Sequence, residues 1–154
     1  MPPRIIKDLQ ELETLVGQEV ATSDWIEITQ ERVNQFAEAT GDFQWIHLDP
    51  DRCAKESPFK VPIAHGYLTM SLIPMLGDLA HQFEQEFKLV VNYGLDKLRF
   101  PAPVPVGSRI RVKESVKSMT NLKGNFKVVW ALATEIEGGE KPACVAETIV
   151  LYYP

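Results

Sequence analysis

For seventeen positions, residues 61–77, the chain carries no charged side chain. From Gly66 this stretch takes on a helical pattern that is apolar on nearly every face as far as Leu79 and turns polar only towards Gln85. A helix apolar all round has to be enclosed by protein or by lipid. Lipid is the poorer host, because Pro62, His65, Gly66 and Pro74 interrupt the run and it falls short of the roughly 20 apolar residues a spanning helix needs. The rest of the chain must therefore wrap this segment.

The second half of the sequence has the means to do so. Strand patterns occupy residues 89–100, 109–119, 126–136 and 143–153, and the second begins with a clear alternation of Arg109, Ile110, Arg111 and Val112, the mark of a sheet with one solvated face. The Gly and Asn residues of 121–125 and 137–141 suit hairpin turns, and long strands joined by short turns form an antiparallel sheet. One buried helix and one long antiparallel sheet in 154 residues predict a single α+β domain, residues 1–154, in which the sheet curls around the helix: the hotdog architecture. Such a sheet keeps an open edge and leaves one flank of the helix uncovered. Pairing through that edge with a second copy, a homodimer, is the expected repair.

The first half delivers polar loops to this core. Residues 7–15 predict a short amphipathic helix and residues 23–28 a short strand, with Trp25 and Ile26 as burial candidates. Thr29 suits an N-cap, Val33, Phe36 and Ala37 recur at helical spacing, and Gly41 ends the helix. Asp49-Pro50 opens a further short helix that Ser57-Pro58 closes. Residues 42–48 are thereby a loop held at both ends.

Charge and motif counts exclude several function classes. A net charge of −5 argues against general nucleic-acid binding, which rests on neutralising phosphates. Residues 97–127 nevertheless hold eight of the sixteen basic residues and one acid, Glu114. Cys53 and Cys144 belong to no metal-spaced cluster and suit reduced, buried or half-buried thiols. The N-terminus becomes charged too early for a signal peptide, so a cytoplasmic protein with no membrane span is expected. The chain contains no Gly-x-Gly-x-x-Gly, Walker loop or Gly-x-Ser-x-Gly elbow. His47, Asp49 and Asp51 are spaced as a metal set could be, but Asp49 is already used as a cap, and no metal is expected.

Three places can carry chemistry. The anchored loop puts Asp42 and His47 within reach of one water molecule, with Phe43, Trp45 and Ile46 to limit solvent, and a carboxylate with an imidazole can take a proton from water and return one to carbon. On spacing alone the simpler reading is a turn cap and a satisfied buried histidine. Where the chain enters the central helix, His65-Gly66-Tyr67 presents unpaired N–H groups and a glycine that permits close approach, suited to a carbonyl oxygen that becomes negative; relief of crowding against the sheet explains Gly66 as well. The run Arg99-Phe100-Pro101 through Gly107, with three prolines in alternate positions, is a stiff extended connection. Its basic surroundings suit the phosphates of an acyl carrier such as coenzyme A, or merely a solvated strand face. His81, between Ala80 and Gln82 in the polar half of the helix, suits a surface or flank residue.

In their order and content, Phe36-Ala37-Glu38-Ala39-Thr40-Gly41-Asp42 through His47, Ala64-His65-Gly66-Tyr67-Leu68-Thr69, and Arg99-Phe100-Pro101 through Gly107 resemble the MaoC-like dehydratases, which include the (R)-specific enoyl-CoA hydratases, and most closely the nodulation protein N-like branch. The resemblance implies a hotdog subunit, usually dimeric, that adds water reversibly to trans-2-enoyl-CoA to give (R)-3-hydroxyacyl-CoA. It implies Asp42 and His47 as catalytic residues and Gly66 as the donor to the thioester oxygen. His65, Tyr67, Arg99 and Pro101 are then the expected substrate-binding positions. No cofactor is implied beyond the coenzyme A thioester itself, and the apolar residues of the central helix would line the acyl tunnel. Two departures stand out: Gln44-Trp45 replaces the common Asn-Pro, and Pro74 occupies the place of a frequent serine. A hotdog acyl-CoA thioesterase using Asp78, and a non-catalytic acyl-CoA-binding partner subunit, are the alternatives.

Overall fold

The computed structural model describes residues 1–154. The long strands form where alternation announced them. β5 (Leu89–Arg99), β6 (Arg109–Leu122), β7 (Asn125–Ile136) and β8 (Cys144–Tyr153) join two shorter strands, β2 (Glu19–Thr22) and β3 (Ile26–Glu27), in one six-stranded sheet. Its order is β2-β6-β7-β8-β5, with β3 also on β6, and every pairing is antiparallel. The β6–β7 hairpin closes on Lys123 and Gly124 at φ 59° and 104°, a left-handed pair that glycine accommodates best, and Asn121 Oδ1 accepts the Gly124 N–H at 2.8 Å.

Burial along β6 alternates strictly through Ile110, Val112, Glu114 and Val116. Ile110, Val112 and Val116, with Val128, Trp130 and Leu132 of β7, join Leu68, Ile73, Leu76 and Ala80 of the central helix in a core of 22 buried residues. The enclosed helix and curled antiparallel sheet are the expected hotdog fold. None of the helices is long and apolar enough to cross a membrane.

The structure corrects the sequence reading in three places. The strand expected over residues 23–28 is confined to β3 (Ile26–Glu27), and a further strand, β2 (Glu19–Thr22), precedes it. Between them Ser23 bonds to β6 through both its N–H, to Val112 O at 2.9 Å, and its Oγ, which accepts the Val112 N–H at 2.9 Å. The central helix is not continuous over residues 66–86: it runs as α5 (Gly66–Ser71) and α6 (Ile73–Ala80). Pro74 lies at the start of α6 and cannot donate to the carbonyl four residues before it. Beyond Ala80 the chain is extended, as β4 (His81–Phe83), and pairs in parallel with β1 (Arg4–Ile6). That partner lies near the start of the chain, far from β4 in sequence, and the local pattern does not show it.

The remaining helices are α1 (Leu9–Thr14), α2 (Gln30–Thr40), α3 (Trp45–Leu48) and α4 (Pro50–Glu56). Side-chain caps start three of them: Asp8 accepts from Glu11 N, Thr29 from Arg32 N and Asp49 from Arg52 N. Pro50 holds the first position of α4, as the Asp-Pro pair predicts.

Candidate active site

Asp42 is placed by the end of α2. Gly41, at φ 80°, turns the chain out of the helix while its N–H still bonds to Ala37 O, and Asp42 emerges exposed one residue later. Its Oδ1 accepts the Gln44 N–H at 3.3 Å, which fixes the bend towards the next segment. That segment is not all loop, as the sequence suggested, because Trp45–Leu48 forms one helical turn, α3. Four residues are too few to show a helical period. Trp45 occupies its first position, a place proline also favours, so the Gln44-Trp45 departure preserves the local turn. The Arg52 guanidinium lies 4.2 Å over the Trp45 ring.

The turn carries His47 into the protein, to 6% exposure. Its Nδ1 donates to Ile63 O at 2.7 Å, so the proton resides on Nδ1 and Nε2 is left as the acceptor. Burial lowers the histidine below its usual value of 6.5; the Ile63 bond and the nearby Asp42 oppose this, and His65 adds to it. His47 is therefore a neutral base at neutral pH. The anchoring is reciprocal, since Ile63 N–H bonds to Ile46 O at 3.0 Å. The same segment is tied to the proline-rich connection by Ala64 N to Val104 O at 2.8 Å and Val106 N to Pro62 O at 2.9 Å. The three sequence blocks thus meet through backbone hydrogen bonds.

His65 joins this group from the other side. Its ring stacks on His47 with centroids 3.8 Å apart, its Nε2 bonds to Asp42 O at 3.0 Å, and the residue is 2% exposed. Of the four expected substrate-binding positions it is the one turned into the protein, where it supports both Asp42 and His47. Tyr67, Arg99 and Pro101 are exposed. The ligand atoms of Asp42, His47 and His65 all lie within 4.8 Å of one another. This is the set that could hold a metal, rather than His47, Asp49 and Asp51. Two of its four imidazole nitrogens are already engaged by carbonyl oxygens.

Gly66 opens α5, whose N-terminus has no side-chain cap, so its first N–H groups point outward unpaired. The structure also supplies the crowding reason for the glycine: a Cβ there would lie 2.9 Å from the Phe100 ring. Phe100 was singled out by nothing but its place beside Arg99. It packs edge-on to Tyr67 at 6.1 Å and forms the rim between helix entry and sheet.

The basic run is mostly neutralised across the sheet. Lys97 and Lys117 meet Glu147, Arg109 meets Glu137, and Arg111 and Lys113 meet Glu135. Partial burial pushes Glu135 up, but hydrogen bonds from Arg111 and Lys113 outweigh it and hold the carboxyl below its usual range. Five of the eight basic residues of this run thus engage carboxylates in cross-strand ion pairs. Arg99, which donates to its neighbour's carbonyl, Leu98 O, at 2.7 Å, pairs with no acid. Cys53 and Cys144 are free and buried; burial pushes Cys144 up to about 11 and raises Cys53 as well, so neither is a reactive thiol.

A cavity of about 930 Å³ begins at Met70 and Ser71 and continues between α6 and strands β5, β7 and β8. Met70 lies one helical turn, about 6 Å, beyond Gly66. The wall of the cavity includes His81, which is not the surface or flank residue its sequence neighbours suggested. Because the helix ends at Ala80, His81 starts a strand, and its ring stacks on Trp130 at 4.8 Å.

The MaoC like domain family model matches residues 11–138. The chain belongs to the MaoC-like dehydratase family. It is 49% identical over 152 residues to 3-hydroxyacyl-thioester dehydratase Z of Mycobacterium tuberculosis, covering 97% of this chain and 98% of that protein. It is 39% identical over 144 residues to nodulation protein N of Rhizobium meliloti, covering 93% and 89%. Among solved structures it is similar to the (R)-hydratase from A. caviae involved in PHA biosynthesis, at TM-score 0.68 and 28% identity, covering 90% of this chain and 96% of that one. The MaoC-like dehydratase therefore has relatives named as dehydratase and hydratase, in keeping with the resemblance seen in its three sequence blocks.

Proposed function

We propose that this MaoC-like protein is an (R)-specific enoyl-CoA hydratase and 3-hydroxyacyl-CoA dehydratase that uses Asp42 and His47 as its acid–base pair. The observation that carries the reading is the orientation of His47: with Nδ1 bonded to Ile63 O, the basic Nε2 is left for a water molecule shared with the Asp42 carboxylate. In hydration, this pair accepts a proton of the water as its oxygen bonds to C3. The electron pair of the C2–C3 double bond moves towards the thioester oxygen, which the Gly66 N–H stabilises at the helix entry, and a proton is then delivered to C2. Dehydration is the reverse. The chemistry uses no resident cofactor or metal.

The acyl chain would run from Gly66 past Met70 into the cavity, and Arg99 and Tyr67 would meet the coenzyme A portion at the rim. Thioester hydrolysis through Asp78 is disfavoured by position, because this acid lies on the second helix segment, up to about 18 Å of helical rise beyond Gly66. The open edge of β5 would pair with a second copy to give a homodimer. It carries exposed Leu89, Val90, Val91, Tyr93 and Leu95.

The deciding assay follows loss of the enoyl-thioester absorbance of crotonyl-CoA, with EDTA present and thiol release monitored in parallel. Wild type should consume the double bond without releasing thiol. Asp42→Asn and His47→Gln should each lose about 10²–10⁴-fold in turnover while keeping their circular dichroism. Undiminished turnover in either variant would remove the proposed pair, thiol release would favour the thioesterase, and binding without turnover would favour the partner subunit.

A further inference from the structure

One inward position of β6 breaks the apolar row. Ile110, Val112 and Val116 are fully buried aliphatics, but between them Glu114 is 3% exposed. A carboxylate held out of water is costly unless it is paired. Its partner is His81, whose Nδ1 lies 2.6 Å from Glu114 Oε2. Gly77 makes room for the other oxygen: a Cβ at that position would sit 3.0 Å from Glu114 Oε1. The hydratase chemistry proposed above uses none of these residues.

The pair also has unused capacity. His81 Nε2 and Glu114 Oε1 take part in no hydrogen bond within the protein, yet neither is sealed off, since the sealed atoms without a partner are His65 Nδ1 and Thr134 Oγ1. Both residues line the cavity. A carboxylate can only accept, so Nδ1 carries a proton, and Nε2 is the ring nitrogen left without a protein partner. Close by, Tyr152 Oη accepts from Trp130 Nε1 at 3.2 Å, which leaves the phenol's own hydrogen to donate, and Tyr152 lines the same cavity. A largely apolar pocket with a few convergent polar groups is the usual form of a selective ligand site.

The Glu114 acceptor and the Tyr152 donor match a hydroxyl group, which donates one hydrogen bond and accepts another. A plain alkyl chain would leave these polar groups unsatisfied, and a carboxylate would meet the Glu114 carboxylate. We propose that His81 and Glu114, with Tyr152, form a specificity site for a hydroxyl group carried on the acyl chain far from the thioester, so that the preferred substrates are hydroxylated acyl thioesters. This rests on the reading of the cavity as the acyl site. His81 is fifteen residues beyond Gly66, at most about 22 Å of helical rise, so the hydroxyl belongs near the end of a medium or long chain.

The test measures binding of saturated acyl-CoAs at each even length from octanoyl to hexadecanoyl, with and without a terminal hydroxyl, by calorimetry. A terminal carboxyl series serves as the third arm. The proteins are wild type, the double variant His81→Phe with Glu114→Leu, which leaves no lone buried charge, and Glu114→Gln, which keeps the shape should the double variant not fold. At the length that reaches the pair, wild type should bind the hydroxylated chain about tenfold or more tightly than the plain one. This ratio should fall towards one in the double variant and drop part-way in Glu114→Gln. A wild type without preference at any length, a preference for the carboxyl series, or a ratio unchanged in both variants overturns the proposal. Crotonyl-CoA turnover by wild type separates the two readings. Preference without turnover keeps the specificity site and removes the hydratase, and turnover without preference does the reverse.

Discussion

His47 gives the clearest link between a residue's surroundings and its chemistry. Burial, the largest influence, moves it below 6.5 in the folded protein. In the interval between that lowered value and 6.5 the unfolded chain binds the proton and the folded chain does not. Stability contributed by this residue is thus complete above pH 6.5 and is lost as pH falls through the interval. With His47 as the proposed base, the same ordering would govern catalysis, since that base is lost only when the folded imidazole protonates. We expect the acid limb of kcat/KM for crotonyl-CoA to fall at a pH beneath 6.5, with the thermal midpoint dropping over the same range, and His47→Gln to flatten that part of the stability profile. An acid limb centred above pH 6.5 would contradict the desolvated environment. Asp42 and His47 were legible in the sequence because two capped helices hold the short loop between them. The His65 stack was not, since nothing local indicates that the next segment folds back over His47.

At the level of elements, what could be read was what carries its own local signal. Helices α2 and α4 begin on Thr29 and Asp49 and end at Gly41 and Ser57, each with a side chain whose chemistry marks the boundary. Strands β1 and β4 have three residues each and α3 has four. Their stability comes from distant partners, so pattern alone passes over them. Glu114 is the instructive case: the alternation that identifies β6 also places this acid inward, whereas counting charge registers it only as the lone acid of a basic run. The α4 cap offers a test of how an element serves the site. Cys53 Sγ on α4 lies 3.7 Å from Trp45 O and 3.6 Å from Ile46 O of α3, so α4 supports the turn that carries His47. Asp49→Ala should cost about 1 kcal/mol and lower the midpoint in differential scanning calorimetry by roughly 2–4 °C. An unchanged midpoint would mean that the Asp49 side chain contributes nothing to the anchoring.

Across the whole molecule, the sheet ends on a strand that a single chain leaves incomplete. β5 bonds to β8 on one side only, and all but one of its eleven residues are exposed, although it carries Leu89 at 49% exposure, Val91 at 38% and Tyr93 at 65%. A long, apolar, unpaired edge invites another strand, and its own copy is always present at equal concentration. The cavity lies behind this strand, with Val90, Tyr93 and Leu95 in its wall, so closing the edge would also shield the proposed acyl site from water. The expected outcome is a dimer in sedimentation equilibrium at micromolar concentration. Leu89→Lys combined with Val91→Lys, two positions outside the cavity wall, should yield a folded monomer, because paired strands cannot easily bring lysines together at a shared edge. If the edge completes the site, the monomer should also turn over long-chain enoyl-CoA less efficiently than the dimer, chiefly through a higher KM. A wild type that sediments as a monomer, or a lysine variant that remains dimeric, would place the contact elsewhere and leave β5 without its proposed partner.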